Sequence, residues 1–172
     1  MAEAESWTVA EVGRVEYEKE SMAARAPDMR WAEELIYHGR RAVGWRGSAP
    51  GWAADRGKPA GVDAFLAGRR LELLVLYPEA FPMVPPALVP LDPEVPMDRR
   101  TLSRWHVLGD GSLCLVQAAE DWQPEHTAAD LVRKASGWFI EYLLLEAGRI
   151  DKMSERGLFE DTSLDVELGN TS

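Results

Sequence analysis

The sequence predicts an α+β domain in which an antiparallel sheet of about four strands follows one helix and is covered by a second, longer helix. Three observations carry that prediction. The run from Arg70 to Tyr77 is apolar, too short for most helices, and stopped by Pro78. Six prolines at 78, 82, 85, 86, 90 and 93 then exclude regular helix and remove ladder donors. Finally, Leu131, Ala135, Trp138, Phe139, Tyr142 and Leu143 recur on one helical face.

Taken in order, Val9, Val12, Val15 and Met22 fall near helical spacing and predict a first helix from Val9 to Arg25, ended by Pro27. Leu35-Ile36-Tyr37 and Ala42-Val43-Gly44-Trp45 predict two strands. Ser48 to Gly68, rich in Gly, Ala, Pro and Asp, reads as a long connection. Arg70 to Tyr77 is expected to sit centrally in the sheet, with a short strand from Ala87 to Leu91 after it. Gly109-Asp110-Gly111 signals a tight turn immediately before Ser112-Leu113-Cys114. Thr127 with Asp130 reads as the start of the long helix, which runs to about Glu146. A short helix near Lys152 to Phe159 and an acidic tail are expected to close the chain, giving one domain over 1–150 and an appendage over 151–172.

Composition narrows the function. With 29 acidic and 19 basic residues the net charge is -10, which disfavours phosphate backbones and anionic membranes, so neither nucleic acid nor membrane is an expected partner. The arginines at 40, 41, 46, 69, 70, 99, 100 and 104 could form a basic face for an acidic protein, although solvated surface is the ordinary reading of such a group. Glu3 and Glu5 do not suit a secretory leader and no run reaches membrane-spanning length, so a cytoplasmic protein is expected. One cysteine makes neither an internal disulfide nor a zinc pattern; no cofactor or metal is expected. Cys114 is left to be judged as a thiol, either buried and inert or exposed by the preceding turn and nucleophilic.

The order Tyr77-Pro78, Phe81-Pro82, Pro85-Pro86, Gly111-Ser112-Leu113-Cys114-Leu115 and Trp122-Gln123-Pro124 resembles the ubiquitin-conjugating enzyme family, over roughly Arg70 to Tyr142. Trp122 follows Cys114 by eight residues, the family's usual interval. The resemblance implies a UBC-like fold, with an N-terminal helix, a four-stranded meander and a long helix after the cysteine loop. It implies an activating enzyme and a ubiquitin-like modifier, or a partner ending in glycine or alanine, carried as a thioester on Cys114 and passed to a target amine. In this chain the first helix lies farther from the strands than is usual, and little sequence remains for the two customary closing helices.

The family attributes oxyanion stabilisation to the Asn of a His-Pro-Asn triplet eight residues before the cysteine; here that triplet is Arg104-Trp105-His106. His106 could donate an imidazole N–H to the oxyanion, or accept the amine proton, or be a strand-end histidine satisfied by backbone. Histidine at this place also resembles bacterial relatives, many of them encoded in antiphage defence operons. Asp110, Gln117, Glu120 and Asp121 are candidates to orient or deprotonate an incoming lysine. Trp122, Pro124, Tyr77, Pro78, Pro85 and Pro86 read as scaffold. Two rival readings stand beside this one: a modifier-binding module without catalysis, and a cysteine hydrolase using His38, His106 or His126.

Overall fold

The computed structural model describes residues 6–169; Glu3 and Glu5, and the last three residues of the tail, lie outside the described residues. Two helices open the chain, α1 (Trp7–Ala10) and α2 (Val12–Arg25), where one was expected. The chain leaves helical geometry at Glu11 (φ -126°, ψ 62°). That turn lets Trp7 bury its ring against Tyr77 and Phe81, at centroid separations of 4.9 and 4.7 Å. A tryptophan removes far more apolar area from water than a valine, so the break follows the larger side chain. Val9 and Val12, expected on the buried face, are exposed in consequence. The face that α2 does bury is Val15, Glu18 and Met22, three and seven residues on.

Four antiparallel strands follow in meander order, β1 (Met29–Tyr37), β2 (Arg40–Ser48), β3 (Glu72–Leu76) and β4 (Ala87–Asp92). His38 and Gly39, both at positive φ, make the two-residue turn between β1 and β2, matching the twist of the strands it joins. β3 lies inside the sheet as expected and is buried on both faces. Leu73 and Val75 point into the main core, while Leu74 packs with Leu35 and Val89 on the other face. β4 is an edge strand, which is where Pro90 can be accommodated. The connection between β2 and β3 contains a short helix, α3 (Val62–Leu66), and α4 (Leu102–Trp105) precedes the cysteine.

The long helix α5 runs from Ala128 to Glu146. Asp130 accepts the backbone N–H of Thr127 at 2.8 Å, tying down the first turn. The apolar stripe seen in the sequence proves too narrow: nearly every side chain from Leu131 to Leu145 is buried. α5 is sandwiched, because the chain beyond it returns across its outer side. Met153, Leu158, Phe159 and Leu168 are buried, and the Phe159 ring packs at Gly137.

The helix expected near Lys152 to Phe159 is an irregular stretch, and the short helix is α6 (Asp165–Gly169). Met153, Leu158 and Phe159 do not share a helical stripe, and Gly157 sits at φ 84°. An irregular path lets all three reach α5. α6 is held where a Cβ on Gly61 would stand 1.7 Å from the Leu168 carbonyl oxygen, and by Asp165 pairing with both terminal nitrogens of Arg56 at 2.6 and 2.8 Å.

Several of the mid-chain arginines are taken up by local partners. Arg41 pairs with Glu34, Arg70 with Asp28, and Arg99 with Glu146, while Arg69 and Arg100 donate to backbone carbonyls. Among the described residues no helix is long and apolar enough to cross a membrane.

Candidate functional site

The cysteine site is built on a small hairpin. Val107 bridges Leu113, Leu108 N–H donates to the Ser112 carbonyl at 2.8 Å, and Cys114 N–H donates to the His106 carbonyl at 2.8 Å. This register sets His106 directly across from Cys114, so an interval of eight residues in sequence becomes a cross-strand pair. Leu113 N–H donates to the Leu88 carbonyl at 2.8 Å, fastening the hairpin to β4 and hence to the sheet.

The turn is the predicted Gly109-Asp110-Gly111. Asp110 Oδ1 accepts from the Ser112 N–H at 2.9 Å and its hydroxyl at 2.6 Å, and these bonds hold the Asp110 carboxyl below its ordinary range. The Asp110 carbonyl is bonded by the Tyr37 hydroxyl. Gly111 is at φ 91°, and a Cβ there would come within 3.1 Å of that hydroxyl. Asp110 is therefore occupied in shaping the turn and is not among the residues lining the cavity at Cys114.

That cavity has a volume of about 630 Å³ and is lined by His106, Cys114, Gln117, Glu120, Asp121 and Trp122 among others. Cys114 is partly exposed there, its thiol directed to the Val116 carbonyl at 4.0 Å. His106 caps α4 in the left-handed conformation (φ 51°, ψ 43°), a region in which Asn and His are enriched. Gln117 Nε2 lies 3.1 Å from His106 Nδ1. With the Gln117 amide turned this way its nitrogen donates, which assigns Nδ1 as the acceptor and the ring proton to Nε2. Partial burial lowers the His106 pKa and favours the neutral ring.

Asp121 also lines the cavity but is committed to its rim: one carboxylate oxygen accepts the N–H of Ala118 and of Gln117, each at 2.9 Å. Those backbone bonds lower its pKa. Glu120 is exposed. Trp122 is buried and donates its indole N–H to the Pro82 carbonyl at 2.8 Å, and Pro124 follows it into the loop before α5. Tyr77, at the end of β3, is buried and bonded to Trp45 and Glu18; Pro78 opens the turn that contains Phe81. His126 lines the cavity, whereas His38 sits at the β1–β2 turn beside Asp110.

Four residues around this site escaped the sequence reading. Lys134 of α5 donates to the Leu115 carbonyl at 3.3 Å, one residue beyond the cysteine. Glu141, also of α5, lines the cavity although its residue is almost wholly buried, and it is bonded by Ser154. Burial raises its pKa to about 7. Arg14 and Glu18 of α2 reach the loop before α5. A signal for two of them was present: Glu18 interrupts the Val15–Met22 face, and Glu141 interrupts the apolar run from Trp138 to Leu145.

Among the described residues no group of three or more His, Cys, Asp or Glu could hold a metal ion. Comparison with protein-family models, with curated proteins and with solved structures finds no match to this chain.

Proposed function

We propose that this chain is a ubiquitin-conjugating-like transferase of UBC-like fold that carries a ubiquitin-like protein on Cys114. The observation that carries the reading is the facing pair: a partly exposed thiol set across a hairpin from the left-handed His106, both lining one cavity. The meander sheet with a helix before it and a long helix after the cysteine supports the same reading at the level of architecture.

The chemistry has two acyl transfers. The Cys114 thiolate attacks the thioester carbonyl on an activating enzyme, forming the new C–S bond while the activating enzyme's thiolate leaves. A target amine then attacks the Cys114 thioester, the tetrahedral oxyanion collapses, the Cys114 thiolate leaves, and the amine's proton passes to solvent or a nearby base. In this scheme His106 is the oxyanion donor through Nε2–H, because Nδ1 is occupied by Gln117. That assignment chooses between the two roles open to it in the sequence. Gln117 fixes the ring, Asp121 fixes Gln117, and the reaction takes place in the cytoplasm, as in bacterial defence systems of this chemistry.

The test is intact mass spectrometry of wild type and Cys114→Ala after incubation with an activating enzyme, a ubiquitin-like protein and ATP, with and without thiol reductant. The expected result is a reductant-sensitive adduct of modifier mass on wild type alone. Absence of that adduct beside a demonstrably charged cognate activating enzyme would transfer the reading to a modifier-binding module; release of free modifier by the wild type would transfer it to a hydrolase.

A further inference from the structure

We infer that Arg14 and Glu18 form a positioning pair for the cysteine site, in which the Arg14 guanidinium clamps the carbonyl oxygens of Pro124 and His126 and so holds the segment Trp122–His126 as a fixed wall of the cavity. The structural part stands on geometry alone; its consequence for transfer rests on the reading of Cys114 given above.

Arg14 is almost fully engaged. Its Nε lies 3.1 Å and its Nη2 2.9 Å from Glu18 Oε1, one helical turn on. Nη1 donates to the Pro124 carbonyl and Nη2 to the His126 carbonyl. The guanidinium plane is backed by the Phe81 ring, 4.8 Å from its centroid. Glu18 is wholly buried, and its other oxygen accepts from the Tyr77 hydroxyl at 2.7 Å and from the Ala128 N–H at 2.8 Å. One ion pair thus joins α2, the end of β3, the loop and the first residue of α5.

Stability alone does not account for such a pair. Two charges removed from water recover their desolvation cost only with good geometry, and well-packed apolar side chains often serve as well or better. What an apolar pair cannot do is bond two loop carbonyls and an amide at once. Burial is the leading influence on Glu18 and raises its pKa; the bonds from Ala128, Tyr77 and Arg14 act the other way and offset only part of that cost.

The held segment matters to the site because Trp122 and His126 both line the cavity that holds Cys114. His126 Nδ1 accepts the Gln123 N–H at 3.1 Å and its ring lies 5.7 Å from that of Trp122. The clamp holds the backbone at His126, whose ring is bonded by the Gln123 N–H and packs on the Trp122 ring. The pair also links Tyr77 to the Trp122–Pro124 segment, two parts of the motif pattern that share no sequence neighbourhood.

The experiment uses the full chain as wild type, Arg14→Met, Arg14→Lys, Glu18→Gln and Met22→Ala. Met22 is wholly buried on the same helix and serves as the control for destabilisation. Amide hydrogen exchange at His126 and Ala128 is read against thermal unfolding. In Arg14→Met these amides should exchange faster than the loss of global stability explains by about tenfold or more, while Met22→Ala should show no such excess. Arg14→Lys keeps the charge on Glu18 without the planar fork, so its excess should be intermediate; it also serves if Arg14→Met does not fold. Glu18→Gln keeps a side-chain acceptor but loses the charge, and should fall between wild type and Arg14→Met. With a charged wild type in hand, discharge to a small amine should slow about tenfold in Arg14→Met and remain near wild type in Met22→Ala.

Exchange at both amides that tracks global stability identically in Arg14→Lys and Met22→Ala would overturn the clamp. If wild type never forms an adduct, the transferase reading fails instead, and the exchange data still decide whether Arg14 holds the wall.

Discussion

The β3–α5 interior and the Cys114 neighbourhood are held by different forces. Leu73 and Val75 of β3 and Ile140 and Leu144 of α5 are wholly buried among apolar neighbours. Their stabilisation scales with area, roughly 25 cal/mol per Å², and tolerates many side chains of similar volume. Around Cys114 the chain is tethered atom by atom: Asp110 to Ser112, Asp121 to Gln117 and Ala118, Gln117 to His106, Arg14 to Pro124 and His126. The apolar layer decides where the hairpin lies. The tethers decide which way its functional groups point, and each depends on one side chain.

The largest expected effect tests the apolar side of this contrast. Leu144→Ala should lower unfolding stability by about 2–5 kcal/mol, as removal of a fully buried leucine leaves a cavity. Denaturant melts measure this, and alkylation of Cys114 by iodoacetamide under native conditions should stay close to wild type. A large change in thiol reactivity would break the comparison, because the site would then depend on core packing directly.

Glu141 sits on the boundary between the two regimes, an acid among the apolar residues of α5. Its folded pKa of about 7 lies above the ordinary 4.5, with burial the main cause and Asp161 adding to it, while bonds from Ser154 act the other way. The native state therefore keeps a proton that the unfolded chain has released. This contribution is fully present below about 4.5 and is lost as pH rises towards about 7. The loss amounts to roughly 3 kcal/mol. Glu141→Gln should flatten the stability–pH curve over this window and be the more stable protein above it. Parallel curves for the two proteins would show that Glu141 does not titrate as an isolated buried acid.

The same division explains how much was legible in the sequence. The long elements and the turn were readable from local signals: α5 from its helical spacing, the strand within Arg70–Tyr77 from a short apolar run stopped by Pro78, and the turn before Cys114 from Gly109-Asp110-Gly111. The split between α1 and α2 was not, since it follows from Trp7 finding an aromatic pocket formed by residues far along the chain. The path of Met153 to Phe159 was hidden for a similar reason, because those side chains reach α5 without helical spacing. At the site, Cys114 and His106 were visible as an interval, and pairing makes that interval meaningful. Arg14 was not, because its acceptors are backbone carbonyls, which every residue possesses and no motif records.

The smallest expected effect on stability sharpens the polar side of the comparison. Asp121 joins the N–H groups of Gln117 and Ala118 through one oxygen. Asp121→Asn keeps an acceptor but removes the charge that strengthens both bonds, so global stability should change by less than about 1 kcal/mol. Its site is exposed enough that solvent screens most of the difference. The local effect should be larger in proportion, seen as faster exchange at the Gln117 and Ala118 amides and a His106 ring less firmly bonded by Gln117. Because the folded Asp121 pKa lies below 3.8, the contribution is present above that value and is lost as pH falls through the folded pKa. The difference between wild type and Asp121→Asn should therefore vanish in acid. Exchange that is unchanged at neutral pH would mean that the rim is held by packing, and the contrast between the two regions would no longer extend to the loop that carries Gln117.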